Sequence, residues 1–325
     1  MPLIDPSTYQ APSRRWTYTH LQTIYRSLYR TVEGFSYNRR ERIDTPDGDF
    51  LDLDWSEVGG DKLLLGLHGL AGSSESTYLY GLLRQFNLQG WDGLAMNYRG
   101  CSGEVNRKLR SYHSGETEDI HTILTHLQKN YHYKEIALVG FSLGGNVVMK
   151  YSGEQGSGIS PLIKRVVAVS APVDLVSCSW ELDRWHNRLY LWRFLRALKR
   201  MTYAKQHLLQ GEIDLEKVRK SRTFAEFDGA VTAPIHGFES AMDYYTRSSS
   251  LPYIPSITIP SLLINARDDS FLGPPCYPED LARQSGLFHL EVPAHGGHVG
   301  FVTRDPVGIY WTDRRIFEFV TGQSD

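Results

Sequence analysis

A serine between two glycines stands directly after an apolar run in the middle of the chain. The run EIALV at residues 135–139 is followed by GFSLG at residues 140–144, and a helical pattern begins immediately afterwards. A strand, a tight turn and a helix form the setting of a nucleophile elbow, in which the serine hydroxyl projects from the edge of a sheet. Gly140 and Gly144 leave room for the neighbouring backbone. We therefore predict that Ser142 is a nucleophile and not part of an ordinary glycine-rich turn.

A serine hydroxyl needs a positioned base to remove its proton. His298 lies in the segment AHGGHVGF at residues 294–301, after the last predicted strand, and two glycines precede it. Glycine gives this loop the backbone freedom to turn the imidazole toward Ser142. His295 is the alternative base, and we favour His298 because its position, chain order and glycine context agree.

The imidazole in turn needs a carboxylate that fixes its tautomer. Asp268 and Asp269 directly follow the apolar run at residues 260–265, which gives the chain order serine, acid, histidine. This is the order found with a nucleophile elbow. Comparison with the strand-end turn Gly-x-x-Asp favours Asp269 as the acid, and Asp268 would then brace the turn. Asp174, after the preceding strand, is a third option.

Main-chain amides that could stabilise an oxyanion are expected in the loop HGLAG at residues 68–72, which follows the apolar run at residues 62–67. A glycine-containing loop at this position can direct an N–H toward the developing charge, beside the N–H of the residue after the nucleophile. We assign the oxyanion hole to the backbone amides of Leu70 and Leu143. His68 is expected to hold this loop.

The elements that must position these groups are short apolar runs that alternate with helical patterns. The runs lie at residues 62–67, 93–97, 135–139, 165–169, 260–265 and, more weakly, 287–292. Such runs are typical of parallel strands that are buried on both faces, and helices between them indicate right-handed crossovers. Residues 51–55 alternate and predict a half-buried strand at an antiparallel edge. The predicted fold class is α/β, with a mostly parallel open sheet flanked by helices.

One long segment interrupts the alternation. Residues 174–245 contain helix-like sequence rich in aromatic and basic residues and no convincing strand. Because a block of this length exceeds a connecting loop, we predict a helical cap over the carboxyl edge of the sheet, where open α/β folds bind ligands. We expect a single domain over residues 1–325, with a core at about 40–173 and 246–325, a cap insertion at about 174–245, and an amino-terminal extension at about 1–39.

The composition excludes several classes of function. The chain has 35 Lys plus Arg against 37 Asp plus Glu, so no large field favours nucleic acid. Its three cysteines form neither a disulfide framework nor a metal-spaced pair, and the spacing of its histidines fits no compact metal site. The apolar runs are far shorter than the roughly 20 residues of a membrane-spanning helix. The first twenty residues lack a continuous apolar segment, so we expect no secretory signal and a cytoplasmic protein.

Two surfaces admit alternative interpretations. Five apolar residues between Leu21 and Tyr29 share one helical face, which could anchor at a membrane interface but which we expect to pack on its own domain. The run from Arg184 to Arg200 holds six basic residues and no acid. It could touch lipid headgroups, but we favour a solvated helix whose aromatic residues face the core or line an acyl pocket.

Longer stretches give the chain a resemblance to a known family. It resembles the YheT-like family of the α/β-hydrolase superfamily in HLQT (20–23), TPDGDFLDLDW (45–55), HGLAGSS (68–74), NYRGCSGEVNR (97–107), YHSGETED (112–119), 266–271 and 295–301. The resemblance implies the α/β-hydrolase fold with a cap, places Ser142, Asp269 and His298 at the nucleophile, acid and base positions, and implies hydrolysis of carboxylic esters. Relatives act on acylglycerols, phospholipids or short acyl esters, and some transfer the acyl group to an alcohol. Ser270 stands where many relatives carry proline.

The leading hypothesis is therefore a serine esterase that acts on short or medium acyl esters or on acylglycerol-type lipids through an acyl-enzyme. The alternative is an acyltransferase that passes the acyl group to an alcohol, and a third hypothesis is a non-catalytic ligand-binding scaffold. None of these needs a cofactor or metal. We expect a small-molecule ester or lipid substrate, no nucleic acid, at most peripheral membrane contact and no obligate protein partner. A cap crowded with Trp and Tyr predicts a preference for short to medium chains.

Overall fold

Residues 2–209 and 211–322, which the computed structural model describes, form a nine-stranded sheet flanked by helices. The strands are β1 (Leu3–Ile4), β2 (Arg39–Asp44), β3 (Phe50–Ser56), β4 (Lys62–Leu67), β5 (Asp92–Asn97), β6 (Glu135–Phe141), β7 (Ile163–Val169), β8 (Ser261–Ile264) and β9 (Phe288–Glu291). Their spatial order is β1-β9-β8-β7-β6-β4-β5-β3-β2. Both antiparallel pairings among the described strands involve β3, which pairs with β2 on one side and with β5 on the other. The predicted α/β class with a mostly parallel sheet is confirmed.

The helices cover both faces of the sheet. They are α1 (Thr19–Tyr29), α2 (Thr77–Asn87), α3 (Glu118–Asn130), α4 (Leu143–Gln155), α5 (Leu175–Asp183), α6 (Arg188–Ala204), α7 (Gln206–Leu209), α8 (Leu215–Lys220), α9 (Phe224–Ala230), α10 (Thr232–His236), α11 (Ala241–Ser248), α12 (Glu279–Gln284) and α13 (Trp311–Thr321). Side chains of α3, α4 and α12 pack in one apolar cluster, and those of α2 and α13 pack in another. In the described residues no helix is long and apolar enough to cross a membrane.

The central strands are buried on both faces, as their apolar runs predict. In β4, Leu63, Leu65 and Leu67 face the cluster with α3 and α4, whereas Leu64 faces the cluster with α2 and α13. Successive side chains of a strand point to opposite faces, so a strand between two helical layers must be apolar throughout. Because β4 to β9 pair parallel to one another, their carboxyl ends lie at the same edge of the sheet.

The antiparallel edge differs from the prediction in one respect. The strand expected at this edge, β3, is fully buried, because the unpredicted strand β2 covers it. The sequence RRERID of β2 looks polar, but its arginines pair with the acidic residues of β3. Arg40 Nε lies 2.7 Å from Asp54 Oδ1, and Arg42 Nε lies 2.7 Å from Asp52 Oδ1. Cross-strand ion pairs therefore take the place of the apolar alternation that would have marked this strand.

The chain between β7 and β8 is helical. Apart from residue 210, which lies outside the described residues, residues 174–245 form α5 to α11 and add no strand to the sheet. Leu191 and Leu195 of α6 pack against Phe224 and Phe227 of α9 in an apolar cluster of their own. The division of the chain into core, cap and amino-terminal extension stays a prediction. At the other end, β1 pairs with β9, so the first residues join the sheet.

Helix α1 packs with its polar face. Gln22 and Arg26 are its buried residues, whereas Leu21, Leu28 and Tyr29 are exposed. The expectation that the apolar stripe of this helix packs on its own domain is therefore wrong for these three residues. The reason lies in the loop around residue 298, whose backbone groups need the hydrogen bonds that the polar side chains of α1 supply.

Candidate active site

Ser142 occupies a strained turn between β6 and α4. Its φ is 53° and its ψ is −121°, a conformation that residues with a side chain rarely adopt. A Cβ at Gly140 would collide with the carbonyl of Gly144, and a Cβ at Gly144 would lie 2.7 Å from the carbonyl oxygen of Leu67. Both glycines are therefore required for this turn. It presents the Ser142 hydroxyl at the carboxyl edge of the sheet.

The structure brings together Ser142, His298 and Asp269. His298 Nε2 lies 2.8 Å from Ser142 Oγ, and His298 Nδ1 lies 2.8 Å from Asp269 Oδ2. A carboxylate only accepts, so Nδ1 donates to Asp269 and Nε2 is free to accept the serine proton. Asp269 is buried, and its Oδ1 accepts the amide of Phe271 at 3.0 Å. These contacts fix both the tautomer and the orientation of the imidazole.

The alternative base and acids lie elsewhere. Asp268 Oδ1 accepts the amide of Gly297 at 2.9 Å, and its Oδ2 lies 3.5 Å from His295 Nδ1. Burial raises the pKa of the Asp268 carboxyl above its usual value. Asp174 caps α5 by accepting the amide of Ser177 at 2.8 Å. Asp268 thus braces the loop before the histidine, and Asp174 serves a helix end.

The amides of Leu70 and Leu143 lie beside the serine without an acceptor among the residues that the structure describes. The two amides that flank Leu70 are both occupied, since Gly69 donates to the Tyr78 hydroxyl and Ala71 donates to the Tyr112 hydroxyl, each at 2.9 Å. A Cβ at Gly69 would lie 3.2 Å from the Cβ of Ser142. The amide of Leu143 begins α4, where helix amides point outward unpaired. Leu70 and Leu143 both line the cavity in front of Ser142, so their unpaired N–H groups are the candidates for an oxyanion hole.

His68 holds this loop as a neutral ring. Its Nδ1 hydrogen-bonds to the carbonyl of Gly69 at 2.8 Å, and its Nε2 accepts the amide of Tyr98 at 3.3 Å. Complete burial lowers the pKa of His68 to about 4. A ring that donates at one nitrogen and accepts at the other has a structural role in this loop.

Helix α1 supports the loop that carries His298, a relationship that sequence reasoning missed. Thr23 Oγ1 accepts the amide of His298 at 2.9 Å, and Arg26 Nη1 donates to the carbonyl of Val299 at 2.9 Å. Val299 and Phe301 have φ values of 58° and 41°, so this loop is strained and needs external support. The signal in the sequence was the set of polar residues on one face of an otherwise apolar helix.

Gln22 completes this support. Its Oε1 accepts the amide of Val302 at 2.8 Å and the hydroxyl of Tyr9 at 2.9 Å, and its Nε2 donates to the carbonyl of Trp16 at 2.6 Å. All polar atoms of a fully buried amide are thereby used. The stretch HLQT, which contributes to the family resemblance, therefore contains two residues that hold the histidine loop.

The acid loop is tied to the start of α6. Ser270 Oγ donates to Asn187 Oδ1 at 2.9 Å, and Asn187 Nδ2 donates back to the carbonyl of Ser270 at 2.6 Å. Ser270, which stands where many relatives carry proline, thus links the loop of Asp269 to the inserted segment. Proline at this position could not make the first of these hydrogen bonds.

A cavity of about 690 Å³ opens in front of Ser142 and His298. This volume lies in the range of small-molecule pockets. Its walls from the inserted segment are mainly apolar and include Leu182, Phe194, Leu198, Phe224, Phe227 and Val231.

The other wall of the cavity, from the sheet side, is more polar. It includes Asn106, Ser111 and His113. The cavity therefore offers both apolar and polar contacts to a small molecule.

The tryptophans of the inserted segment do not line this cavity. Trp180, Trp185 and Trp192 are all exposed on the outside of the molecule, whereas Tyr244 and Tyr245 do contribute to the wall. The expectation that tryptophan crowds the acyl site is therefore wrong: α6 turns Phe194 and Leu198 toward the cavity and leaves Trp192 outside. The chain-length preference itself stays a prediction.

Two cysteines, Cys101 and Cys178, line the same cavity as Ser142. Burial raises the pKa of the Cys101 thiol to about 12, which leaves it protonated and poorly nucleophilic. Cys178 and Cys276 are free thiols whose sulfur atoms lie 3.4 Å apart. In the described part of the chain, no group of three His, Cys, Asp or Glu side chains is placed to hold a metal ion.

The sequence and the fold both match known proteins. The family model of the alpha/beta hydrolase fold matches residues 62–305. The chain is 38% identical to the Escherichia coli (strain K12) protein named "Putative esterase YheT" over 90% of this chain and 86% of that protein. It is 29% identical to human phospholipase ABHD3 over 86% of this chain and 70% of that protein. It is 28% identical to the monoacylglycerol lipase of Saccharomyces cerevisiae (strain ATCC 204508 / S288c), over 87% of this chain and 63% of that protein.

Among solved structures, the esterase PF2001 of Pyrococcus furiosus superposes with a TM-score of 0.61, at 20% identity, over 90% of this chain and 96% of that one. This likeness concerns the fold alone. The family resemblance found in the sequence is supported by the family model and by the sequence matches. The chain belongs to the α/β-hydrolase fold family and, within it, to the YheT-like branch.

Proposed function

We propose that the chain is a serine hydrolase that cleaves carboxylic esters by a Ser-His-Asp triad through an acyl-enzyme. The observation that carries the proposal is the continuous chain of two 2.8 Å hydrogen bonds from Ser142 through His298 to Asp269. Such a chain allows the histidine to take the serine proton while the carboxylate stabilises the imidazolium. The free amides of Leu70 and Leu143 fit the remaining requirement, an oxyanion hole.

In the proposed reaction, Ser142 Oγ attacks the ester carbonyl carbon and His298 Nε2 takes the hydroxyl proton. The amides of Leu70 and Leu143 stabilise the negative oxygen of the tetrahedral intermediate. The carbon–oxygen bond to the alcohol then breaks, and His298 returns its proton to the leaving oxygen. A water molecule, deprotonated by the same histidine, attacks the acyl-serine, and the carboxylic acid leaves as Ser142 regains its proton.

The substrate class that we propose is a short or medium acyl ester or an acylglycerol-type lipid. Two findings support it: the apolar walls of the cavity, and relatives named as an esterase, a phospholipase and a monoacylglycerol lipase. An apolar wall favours an acyl chain by about 0.8 kcal/mol for each buried methylene. The cytoplasmic location expected from the amino-terminal sequence stays a prediction.

A fluorophosphonate probe tests the proposal, because it reacts with serines that a base activates. We expect labelling of the wild type, with p-nitrophenyl ester hydrolysis, and loss of both in Ser142→Ala. Ser179 also lines the cavity, so Ser179→Ala is the matched control and should label normally. Unchanged labelling of Ser142→Ala would refute the assignment.

Added glycerol or ethanol separates hydrolysis from acyl transfer, because a transferase forms the new ester in place of free acid.

A further inference from the structure

Helix α6 presents an outward face that mixes exposed aromatic and basic side chains. Trp185, just before the helix, is 82% exposed, Leu189 is 64% exposed and Trp192 is 57% exposed. Arg188, Arg193 and Arg196 are exposed on the same side, since these six positions follow helical spacing. We call these six residues the docking face. The expectation that the aromatic residues of this run all face inward is wrong for its two tryptophans.

The arginines of the docking face lack acidic partners. Within the described residues no carboxylate lies within ion-pair distance of Arg188, Arg193 or Arg196, although most exposed arginines elsewhere in the molecule are paired. Arg196 lies instead over the ring of Trp192, at 5.4 Å. The chain as a whole has a net charge of −2, so this positive charge is a local feature.

We propose that the docking face binds the surface of an anionic phospholipid bilayer. Unpaired arginines complement anionic headgroups, while tryptophan and leucine side chains on the same helix face can enter the headgroup and acyl boundary. A nucleic acid would use the arginines and could stack on the tryptophans, but it offers nothing to the exposed Leu189.

The opposite face of α6 leads to the candidate active site. Phe194 lines the cavity, and the ring of Tyr190 packs on Phe271 at 4.8 Å. Phe271 in turn packs on the ring of His298 at 4.3 Å. An α-helix with its side chains is about 10–12 Å thick, so a bilayer on the docking face would lie one helix away from the cavity.

Helix α1 begins beside the docking face, because the ring of His20 lies 6.1 Å from the ring of His186, which in turn lies 5.7 Å from the ring of Trp185. His20 Nδ1 lies 3.1 Å from the Tyr190 hydroxyl, and its neighbour Leu21 is exposed. The apolar residues that α1 leaves outside the core thus start beside the docking face and could extend the contact with the same bilayer.

Vesicle co-sedimentation tests the proposal with the full chain. We expect binding to vesicles of phosphatidylglycerol and phosphatidylcholine, and at least about tenfold weaker binding to phosphatidylcholine alone. Arg193→Glu with Arg196→Glu should weaken binding to the anionic vesicles by at least about tenfold. The matched control is Lys129→Glu with Lys164→Glu, which makes the same charge change at two exposed positions away from α6 and should change binding less than about twofold.

The apolar contribution has its own test. Vesicles that contain brominated lipid should quench tryptophan fluorescence in the wild type, and less in Trp185→Ala. Leu189→Ala should weaken binding, whereas Leu88→Ala, which removes a leucine of similar exposure just after the end of α2, should not. The inactive variant Ser142→Ala should bind vesicles like the wild type, so this proposal stands or falls separately from the proposed catalysis.

Three results would overturn the proposal. The first is equal binding to anionic and neutral vesicles, and the second is unchanged binding after the double charge reversal at Arg193 and Arg196. The third is binding of single-stranded RNA that depends on these arginines while vesicles do not bind. Circular dichroism and thermal unfolding of each variant show whether a loss of binding reflects a loss of fold.

Discussion

Thr23 accepts a hydrogen bond at 2.9 Å from the main-chain amide of His298, a residue 275 positions further along the chain. The contact makes the amino-terminal helix part of the support of the candidate base. It also explains why α1 buries polar residues and exposes apolar ones. A helix that looks like an addition to the sheet therefore fixes the geometry of the site.

Replacing Thr23 by valine should lower kcat by about tenfold with little change in KM. The substitution removes the acceptor of the His298 amide and leaves that donor unsatisfied, which costs about 1–3 kcal/mol. Thr23→Ser keeps the hydroxyl and should restore activity. Thr122→Val, at a half-buried threonine whose hydroxyl bonds the carbonyl of Glu118 in its own helix, is the control. Equal kcat values for Thr23→Val and the wild type would contradict the positioning role.

The two neighbouring aspartates should respond very differently to amide substitution. Asp269→Asn should lower kcat by about 10⁴-fold, because asparagine cannot hold the required histidine tautomer. Asp268→Asn should keep most of the activity, since its carbonyl can still accept the Gly297 amide. Steady-state kinetics on one p-nitrophenyl ester give kcat for both variants. A larger loss of kcat in Asp268→Asn than in Asp269→Asn would reverse the assignment of the acid.

Asp228 should make stability depend on pH. Burial raises the pKa of this carboxyl to about 6, above the value near 3.9 of an unfolded chain. Between about pH 4 and pH 6 the folded state binds more protons at Asp228 than the unfolded state does. The contribution of Asp228 to the free energy of unfolding therefore falls as pH rises from about 4 to 6. The free energy of unfolding of Asp228→Asn minus that of the wild type should therefore be more favourable to the variant at pH 7 than at pH 4.

Urea unfolding at several pH values measures this difference. Asp280→Asn, at a strongly exposed aspartate, should show no comparable trend with pH. A difference between Asp228→Asn and the wild type that stays constant from pH 4 to 7 would show that Asp228 titrates normally.

The cavity should set the preference for acyl chain length. Leu198 of α6 lines it, so Leu198→Trp should shorten the accessible space and reduce kcat/KM for long esters relative to acetate. Each methylene that loses its burial costs about 0.8 kcal/mol, or roughly fourfold. A p-nitrophenyl ester series from short to long chains measures the profile. We expect the wild type to prefer short to medium chains and Leu88→Trp, outside the cavity, to keep that profile.

The features that sequence predicted are those encoded by local patterns. The elbow at Ser142 and the parallel strands could be found because glycine spacing and apolar runs are specific over a few residues. The edge strand β2 was missed because its stability comes from ion pairs with β3. The roles of Thr23 and Gln22 were missed because their partners lie at the other end of the chain, and the outward orientation of Trp192 depends on which face of α6 packs inward.

The proposed mechanism requires that Ser142 becomes acylated during turnover. The most direct test is to mix the protein with p-nitrophenyl butyrate, quench with acid and determine the mass of the intact protein and of its peptides. We expect one added butyryl group on the peptide that contains Ser142, and none in Ser142→Ala. Turnover with the butyryl group on another residue, such as Cys101, or hydrolysis that persists in Ser142→Ala, would contradict it.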